Sequence, residues 1–516
     1  MTQTFRNDDG TYQKAQPFVL ADGMPQRFRD VVGRMQVVQH SNIYEADFEY
    51  GTQPLRWQSY TAGSGTISAM PGLGGVQMNI TTVSGDITIR QSRPYHRYQP
   101  GKTMRMETAV VFGAAQTNQR QRVGFFDDGN GIFFEQGDPT PTNPYGMFCV
   151  YRSDVNGVPF DTRISFENWT DFDRVKSILN WNNIQMLGIE YAWYGAGALR
   201  WSITLNGERR ILHQIGIGNL AGQITPWCRT GNLPVRYEQR NIGTATGVGQ
   251  INHYGVSVLV EGGQDSQRGF TYAYGMALAT PQRTISAATT RFPVLSFRPR
   301  NMGTQEYTQA GAAITGTPTT TSMTVAGTPW TVGQWAGRYV YFPGTGAQGT
   351  GSIGRITANS ANTLTYADNI TGNGISTAPT AGAFYQIGLI NRGLIKPLTL
   401  VLSSTALCTV EIISSTPSSP VTLTGASFAA MSTIGSPNSL SERDVSATAL
   451  SGGEVVLAFV APAGGSGLQT FDLTNLFSVY NTIQGNLADI LTVAVSTPAG
   501  NSASVGAHIY GQEAMS

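Results

Sequence analysis

Five carboxylates in this chain stand where a glycan-cleaving site could be built: Asp127, Asp128, Glu135, Asp171 and Glu190. Hydrolysis of a glycosidic bond uses two of them facing each other across a cleft, roughly 5 Å or roughly 6.5–9.5 Å apart. No spacing in the sequence ties any two together, so no catalytic residue is assigned and the chain is expected to be non-enzymatic. Asp127 and Asp128 lie in RVGFFDDGNGIFFEQ (122–136), which has the acids of a calcium loop. Such a loop needs acids or amides at its first, third and fifth positions. Counting from Asp127 puts Gly129 and Gly131 at the third and fifth; counting from Asp128 puts Ile132 at the fifth. Neither register holds a cation, and the stretch reads instead as a hairpin turn between two aromatic runs. The histidines His40, His96, His213, His253 and His508 show no metal-binding spacing, and GTGAQGTGSIG (344–354) lacks the lysine and following helix of a phosphate loop. No metal and no cofactor are expected.

Two other groups of residues could make contacts rather than chemistry. RPYHRYQPGK (93–102) interleaves Arg93, Arg97 and Lys102 with Tyr95 and Tyr98. Such interleaving can bind single-stranded nucleic acid, stack within a fold, or stack against another subunit. The net charge of +1 weakens the nucleic-acid reading. The prolines place the segment at a turn or an interface, so Arg93, Tyr95, Arg97 and Tyr98 are read as a subunit contact, with packing inside the chain as the alternative. Trp193 and Tyr194, beside Gly195-Ala196-Gly197, could stack on a sugar ring, as could Trp169, Trp181 and Trp227; a core role competes at each.

The elements that must carry these residues are strands. Charged residues make up only 13% of 516 and Gly accounts for 61, the balance of a turn-rich all-β protein with a weakly charged surface. Alternation is clear in RWSITLNGERRIL, where Asn206-Gly207 sets a two-residue hairpin and places Trp201 opposite Leu212. Val256, Val258 and Val260 mark another strand face, and Ile189, Tyr191 and Trp193 a third. The expected architecture is multidomain: an arm over 1–45, a β-sandwich or jelly roll over 46–310, a small all-β insert over 311–388, and a second β-sandwich-like domain over 389–516. SFRPRN and YQIGLINRG, at the ends of the insert, are expected to neighbour each other, and removing 311–383 through a short Gly-Ser linker is expected to leave the rest folded. Cys149, Cys228 and Cys408 are too scattered for a disulfide framework and read as buried small hydrophobes. The polar start MTQTFRNDDG gives no signal peptide, and no 18-residue apolar run crosses a membrane, so synthesis in a reducing cytosol is expected.

Several stretches together resemble one family. They are NIYEADFEYGTQPLRW (42–57), RQSRPYHRYQPGKTMRMETAVVFG (90–113), RVGFFDDGNGIFFEQ with YRSDVNG (151–157), WYGAGALRWSITLNG (193–207) and NLPVRYEQRN (232–241). In combination they resemble virion structural proteins of tailed bacteriophages of aquatic bacteria, with relatives in large algal viruses. The insert resembles a small β module found in phage proteins, departing from its pattern at Gln348. The resemblance implies a virion component made in the host cytoplasm, tail-associated (fibre, collar or baseplate) or decorating the head. It would act by assembling as a homotrimer or ring with other virion proteins, without nucleic acid. The alternative is an adhesin that binds a host-surface glycan, and a weaker one a polysaccharide depolymerase.

Overall fold

The computed structural model describes residues 4–6, 12–14, 30–31 and 40–514, apart from 195–196, 219–223, 264–268, 277–279, 287–290, 310–311, 345–350, 417–418, 437, 465–467, 477 and 499–500. Gly195, Ala196 and most of GTGAQGTGSIG thus lie outside the described residues. The chain adopts the expected all-β, multidomain class, built as two sandwiches and an inserted sheet.

In the first sandwich a seven-stranded sheet faces an eight-stranded one. Period-two alternation decides which side chains meet between them. Val256, Val258 and Val260 of the strand Gly249–Glu261 turn inward beside Ile189, Tyr191 and Trp201, and the opposite sheet adds Val123, Phe125, Phe134, Val235 and Tyr237. Cys149 and Cys228 fill this core, and Cys408 the core of the second sandwich, as small apolar groups.

The hairpin at Asn206-Gly207 forms with both residues at positive φ, 52° and 80°, as a tight turn of this hand requires. Its register runs as expected from Leu205↔Glu208 to Ser202↔Ile211 and then shifts. A bulge at Trp201/Ser202 leaves Leu212 as the extra residue, so Trp201 faces His213 and not Leu212. Both Trp201 and Leu212 stay fully buried, which is what the bulge achieves.

Sheet pairing redraws the expected boundaries. His40–Ala46 is no arm but a strand on Gly249–Glu261. The strands Phe270–Gly275, Arg283–Ile285 and Phe292–Pro299, read as the end of the first sandwich, pair with Ala503–Ala514, Ser441–Asp444 and Leu491–Ser496 in the second. Their partners lie more than a hundred residues away, where no local pattern could reveal them. The insert is a separate seven-stranded sheet that starts at Tyr307–Thr308 and ends at Gln386–Gly388, with its own core around Trp330, Trp335, Tyr366 and Tyr385. Its ends do run side by side: Gly303 N donates to Leu389 O (2.8 Å) and Asn391 N to Asn301 O (2.9 Å).

The three units share buried contacts. Ile370 of the insert and Ile483 of the second sandwich pack on Ile87 and Ile89 of the first. Arg355 and Asn369 of the insert reach Asp154 (3.1 Å) and Asp128 (2.9 Å) of the first sandwich. The strand Tyr339–Phe342 is buried on both faces: Val340 and Phe342 in the insert core, Tyr339 and Tyr341 against Met302 and Ile390 at the junction.

Candidate functional site

The aspartates of DDGNG occupy the turn between Gln119–Phe126 and Gly131–Gln136. Asp127 Oδ1 accepts the amides of Gly129 and Asn130, both at 2.8 Å, and Asp127 N donates to Asn130 O. That is a side chain closing its own turn. Asp128 points the other way and is buried between Arg236 (2.8 Å) and Asn369. Among the described residues no three His, Cys, Asp or Glu side chains converge on a cation position. Gly131 has φ +154°, and a Cβ there would lie 2.1 Å from Phe126 Cβ. Gly131→Ala should therefore cost about 1–3 kcal/mol by forcing the strand ends apart, read as a lowered urea midpoint. A midpoint equal to wild type would refute the close approach.

The outer face of the seven-stranded sheet carries one of the carboxylates the sequence offered for catalysis, Glu135, together with Glu238, which the sequence did not single out. Glu135 and Glu238 stand on either side of Arg122, which donates to both at 2.6 and 2.8 Å. Arg163 also holds Glu135 (2.7 Å), while Arg236 (2.8 Å) and Arg240 (2.6 Å) hold Glu238. Phe133 lies under Arg122 and Arg152. Burial alone would raise the Glu238 carboxyl, but the guanidinium groups of Arg240, Arg236 and Arg122 overcome it and hold the acid well below its ordinary value. An acid held this way is ionised at neutral pH and fits an ion-pair or base role, not that of a proton donor. Glu190 is likewise enclosed, by Arg105, Arg200 and Arg209, on the other sheet. Asp171 sits apart, its amide bonded to Leu212 O.

Asp154 and Asp161 are depressed in the same way, burial being outweighed by Arg229 and Arg355 for the first and by Arg152 and Arg122 for the second. A depressed folded value means that the unfolded chain binds protons more tightly. The stabilisation is complete above the ordinary values, 4.5 for Glu238 and 3.8 for the aspartates, and is lost as pH falls through the lower folded ones. Melting temperature should hold down to pH 5 or so and drop steeply below about 4. A flat profile to pH 3 would contradict this.

The segment 93–102 is largely a seam inside the chain. Arg93 is buried and ion-paired with Asp489 of the second sandwich. Tyr95 is buried beneath Arg392 (5.2 Å) and its hydroxyl reaches Asp127 (3.4 Å); Tyr98 is buried and stacks on Tyr191 (6.1 Å). Of the four residues expected at a subunit contact only Arg97 is exposed. The reason is long-range: the second sandwich supplies partners that a surface segment would have lacked. Burial also pushes His96 down to about 3, so its ring is neutral at physiological pH.

Where this seam opens, the two sandwiches leave a cleft of about 840 Å³. One wall carries Tyr44, Gln53, Arg56 and Arg97; the other carries Lys396, Asn475 and Tyr480, with Glu454 at the edge. Tyr44 lies 4.9 Å beneath the Arg56 guanidinium and donates its hydroxyl to Arg56 O (3.4 Å). Burial pushes the hydroxyls of both Tyr44 and Tyr480 up, so both remain protonated donors. The cleft thus combines planar faces with amide and cationic hydrogen-bonding groups. Apart from Tyr95 and Arg97, its residues were not singled out from the sequence. Tyr44 and Arg56 fall in NIYEADFEYGTQPLRW, but Lys396 and Tyr480 carry no local signal.

Trp193 and Tyr194 form a separate ledge. Their rings stack at 4.8 Å, Trp193 Nε1 donates to Cys228 O (2.9 Å), and Tyr194 is 46% exposed. Trp169, Trp181 and Trp227 are core residues. Among the described residues no helix is long and apolar enough to cross a membrane.

No protein-family model and no curated protein matches this sequence. Among solved structures the chain is similar to a β-1,3-glucanase from Mycobacterium marinum, 10% identical with a TM-score of 0.29 over 42% of this chain and 98% of that one. It is also similar to the Crh5 transglycosylase in its apo form, 16% identical, TM-score 0.28, over 46% and 88% of the two chains. A third is the cellulose-induced protein Cip1, 11% identical, TM-score 0.27, over 42% and 96%. Two of these three are glycan-processing enzymes, and the expectation of a non-enzymatic chain is corrected on that finding: the exclusion of catalysis is withdrawn. TM-scores this low transfer neither a site nor an activity.

Proposed function

We propose that the chain is a carbohydrate-binding protein that holds a glycan in the cleft between its two sandwiches. The observation that carries the reading is the make-up of the cleft walls. Tyr480 offers a ring face and a hydroxyl donor, and Gln53 and Asn475 offer amides that both donate and accept. A sugar presents the complementary surface, C–H faces ringed by hydroxyls. The volume, about 840 Å³, is ample for several sugar units. On the motifs that resemble virion proteins, we extend the proposal to a host-recognition adhesin of a phage particle.

Binding of the full chain to a glycan array tests the first part. Tyr480→Ala and Asn475→Ala should each weaken the best hit by about tenfold, equivalent to ~1.4 kcal/mol. Absence of any hit, or unchanged affinity in both variants, would refute the cleft. Release of reducing ends from the bound glycan would add hydrolysis to binding. Mass spectrometry of purified particles tests the extension.

A further inference from the structure

Resting on that reading of the cleft, we propose that its ligand is an acidic glycan whose sugars carry carboxylates. The lining is cationic in a chain that is almost neutral. Arg56, Arg97 and Lys396 face a single carboxylate, Glu454, while the whole molecule carries a net charge of +1. Most arginines elsewhere are spent on internal carboxylates: Arg122, Arg236 and Arg240 on Glu238, Arg93 on Asp489, Arg229 and Arg355 on Asp154. Arg56 and Lys396 differ. Among the described residues neither has a carboxylate partner.

Their placement suits a bound anion. Arg56 is held from behind: Nη2 donates to Glu45 O and the guanidinium plane rests on Tyr44 (4.9 Å). Its remaining N–H groups are left to a ligand. A guanidinium fixed in this way presents the fork that a carboxylate accepts in two parallel hydrogen bonds. Lys396 approaches from the strand Leu394–Ser404 of the other sandwich, so an anionic sugar between them is gripped from both units. Lys396 is half-buried, which strengthens its contact relative to a fully exposed ammonium, whereas Arg56 is exposed and acts through its fixed geometry. Neutral His96, the titratable group in this lining nearest to physiological pH, contributes no charge, so binding should be constant between about pH 5 and 8.

The experiment is calorimetry of the full chain with three probes of similar length: oligogalacturonate, laminari-oligosaccharide and a sulfated, uronate-free galactan oligosaccharide. Oligogalacturonate is expected to bind at least tenfold more tightly than laminari-oligosaccharide at low salt, with the advantage shrinking as salt is raised. Arg56→Gln and Lys396→Gln, both checked for wild-type melting, should each remove most of that advantage, read as the ratio of oligogalacturonate to laminari-oligosaccharide affinity within each variant. Equal affinity for the neutral and uronate probes would overturn the charge assignment but keep the cleft as a glycan site. Preference for the sulfated probe would overturn the carboxylate assignment. Failure of every probe, together with an empty glycan array, would overturn the underlying function.

Discussion

Replacement of Arg122 by alanine should lower the stability of the first sandwich by about 3 kcal/mol and its melting temperature by roughly 6–12 °C. Arg122 lies at the centre of the charged face, with Glu135 on one side, Glu238 on the other and Asp161 at 3.6 Å. Glu135 and Glu238 are fully buried, so each needs a cationic partner to remain charged. Breaking a buried pair costs more than the pair contributed, because the remaining charge is stranded; about 3–5 kcal/mol is usual. The lower end applies here, since Arg163 still reaches Glu135, and Arg236 and Arg240 still reach Glu238. Urea denaturation followed by circular dichroism would measure the effect. If the single variant loses less than about 1 kcal/mol, the face is screened by solvent and the network is not the device described.

Excision of the insert should have the second large effect. A deletion of 304–388, joining Gly303 to Leu389 through a short Gly-Ser linker, brings together residues already bonded at 2.8 Å. Closing such a gap adds little loop entropy. On the sequence alone, removing 311–383 was expected to leave the rest undisturbed. The structure changes that expectation in two ways. A cut at 311 leaves Tyr307–Thr308 and Gln386–Gly388 as orphan strands of a missing sheet. Any excision also takes Arg355 from Asp154, Asn369 from Asp128, and Ile370 from the cluster with Ile87 and Ile89. Uncovering one Ile costs about 1.5–3 kcal/mol, and each hydrogen bond to a buried carboxylate a further ~1.5–3. The remainder should keep its β circular dichroism yet unfold about 5 kcal/mol more easily. Asp128→Asn in the shortened chain should restore part of that. Melting indistinguishable from wild type would mean that the junction contributes nothing. Aggregation without β structure would mean that the units do not fold apart.

Much of the fold was legible because its causes are local. Strand alternation at Val256, Val258 and Val260 follows from the pleat, and the turns at Asp127–Asn130 and Asn206-Gly207 from side-chain bonding and backbone freedom. Reading strands in chain order, however, assigned 270–299 to the wrong sandwich, since a strand's own residues do not say which distant edge it will join. The same limit hid the bulge at Leu212, where the pull of two large side chains into one core outweighed the regular ladder.

The sequence by itself determined an all-β chain of several units, its tight turns and its buried free cysteines, because each of these is set within a few residues. Only the tertiary structure decided what the charged and aromatic residues are for. Arg93 and Asp489 are 396 positions apart and meet at a seam. Tyr44 and Arg56 become one wall of a cleft only because Lys396 and Tyr480, on another sandwich, supply the other. Such pairings depend on how two finished surfaces fit, a sum over many weak contacts that no short stretch of sequence contains.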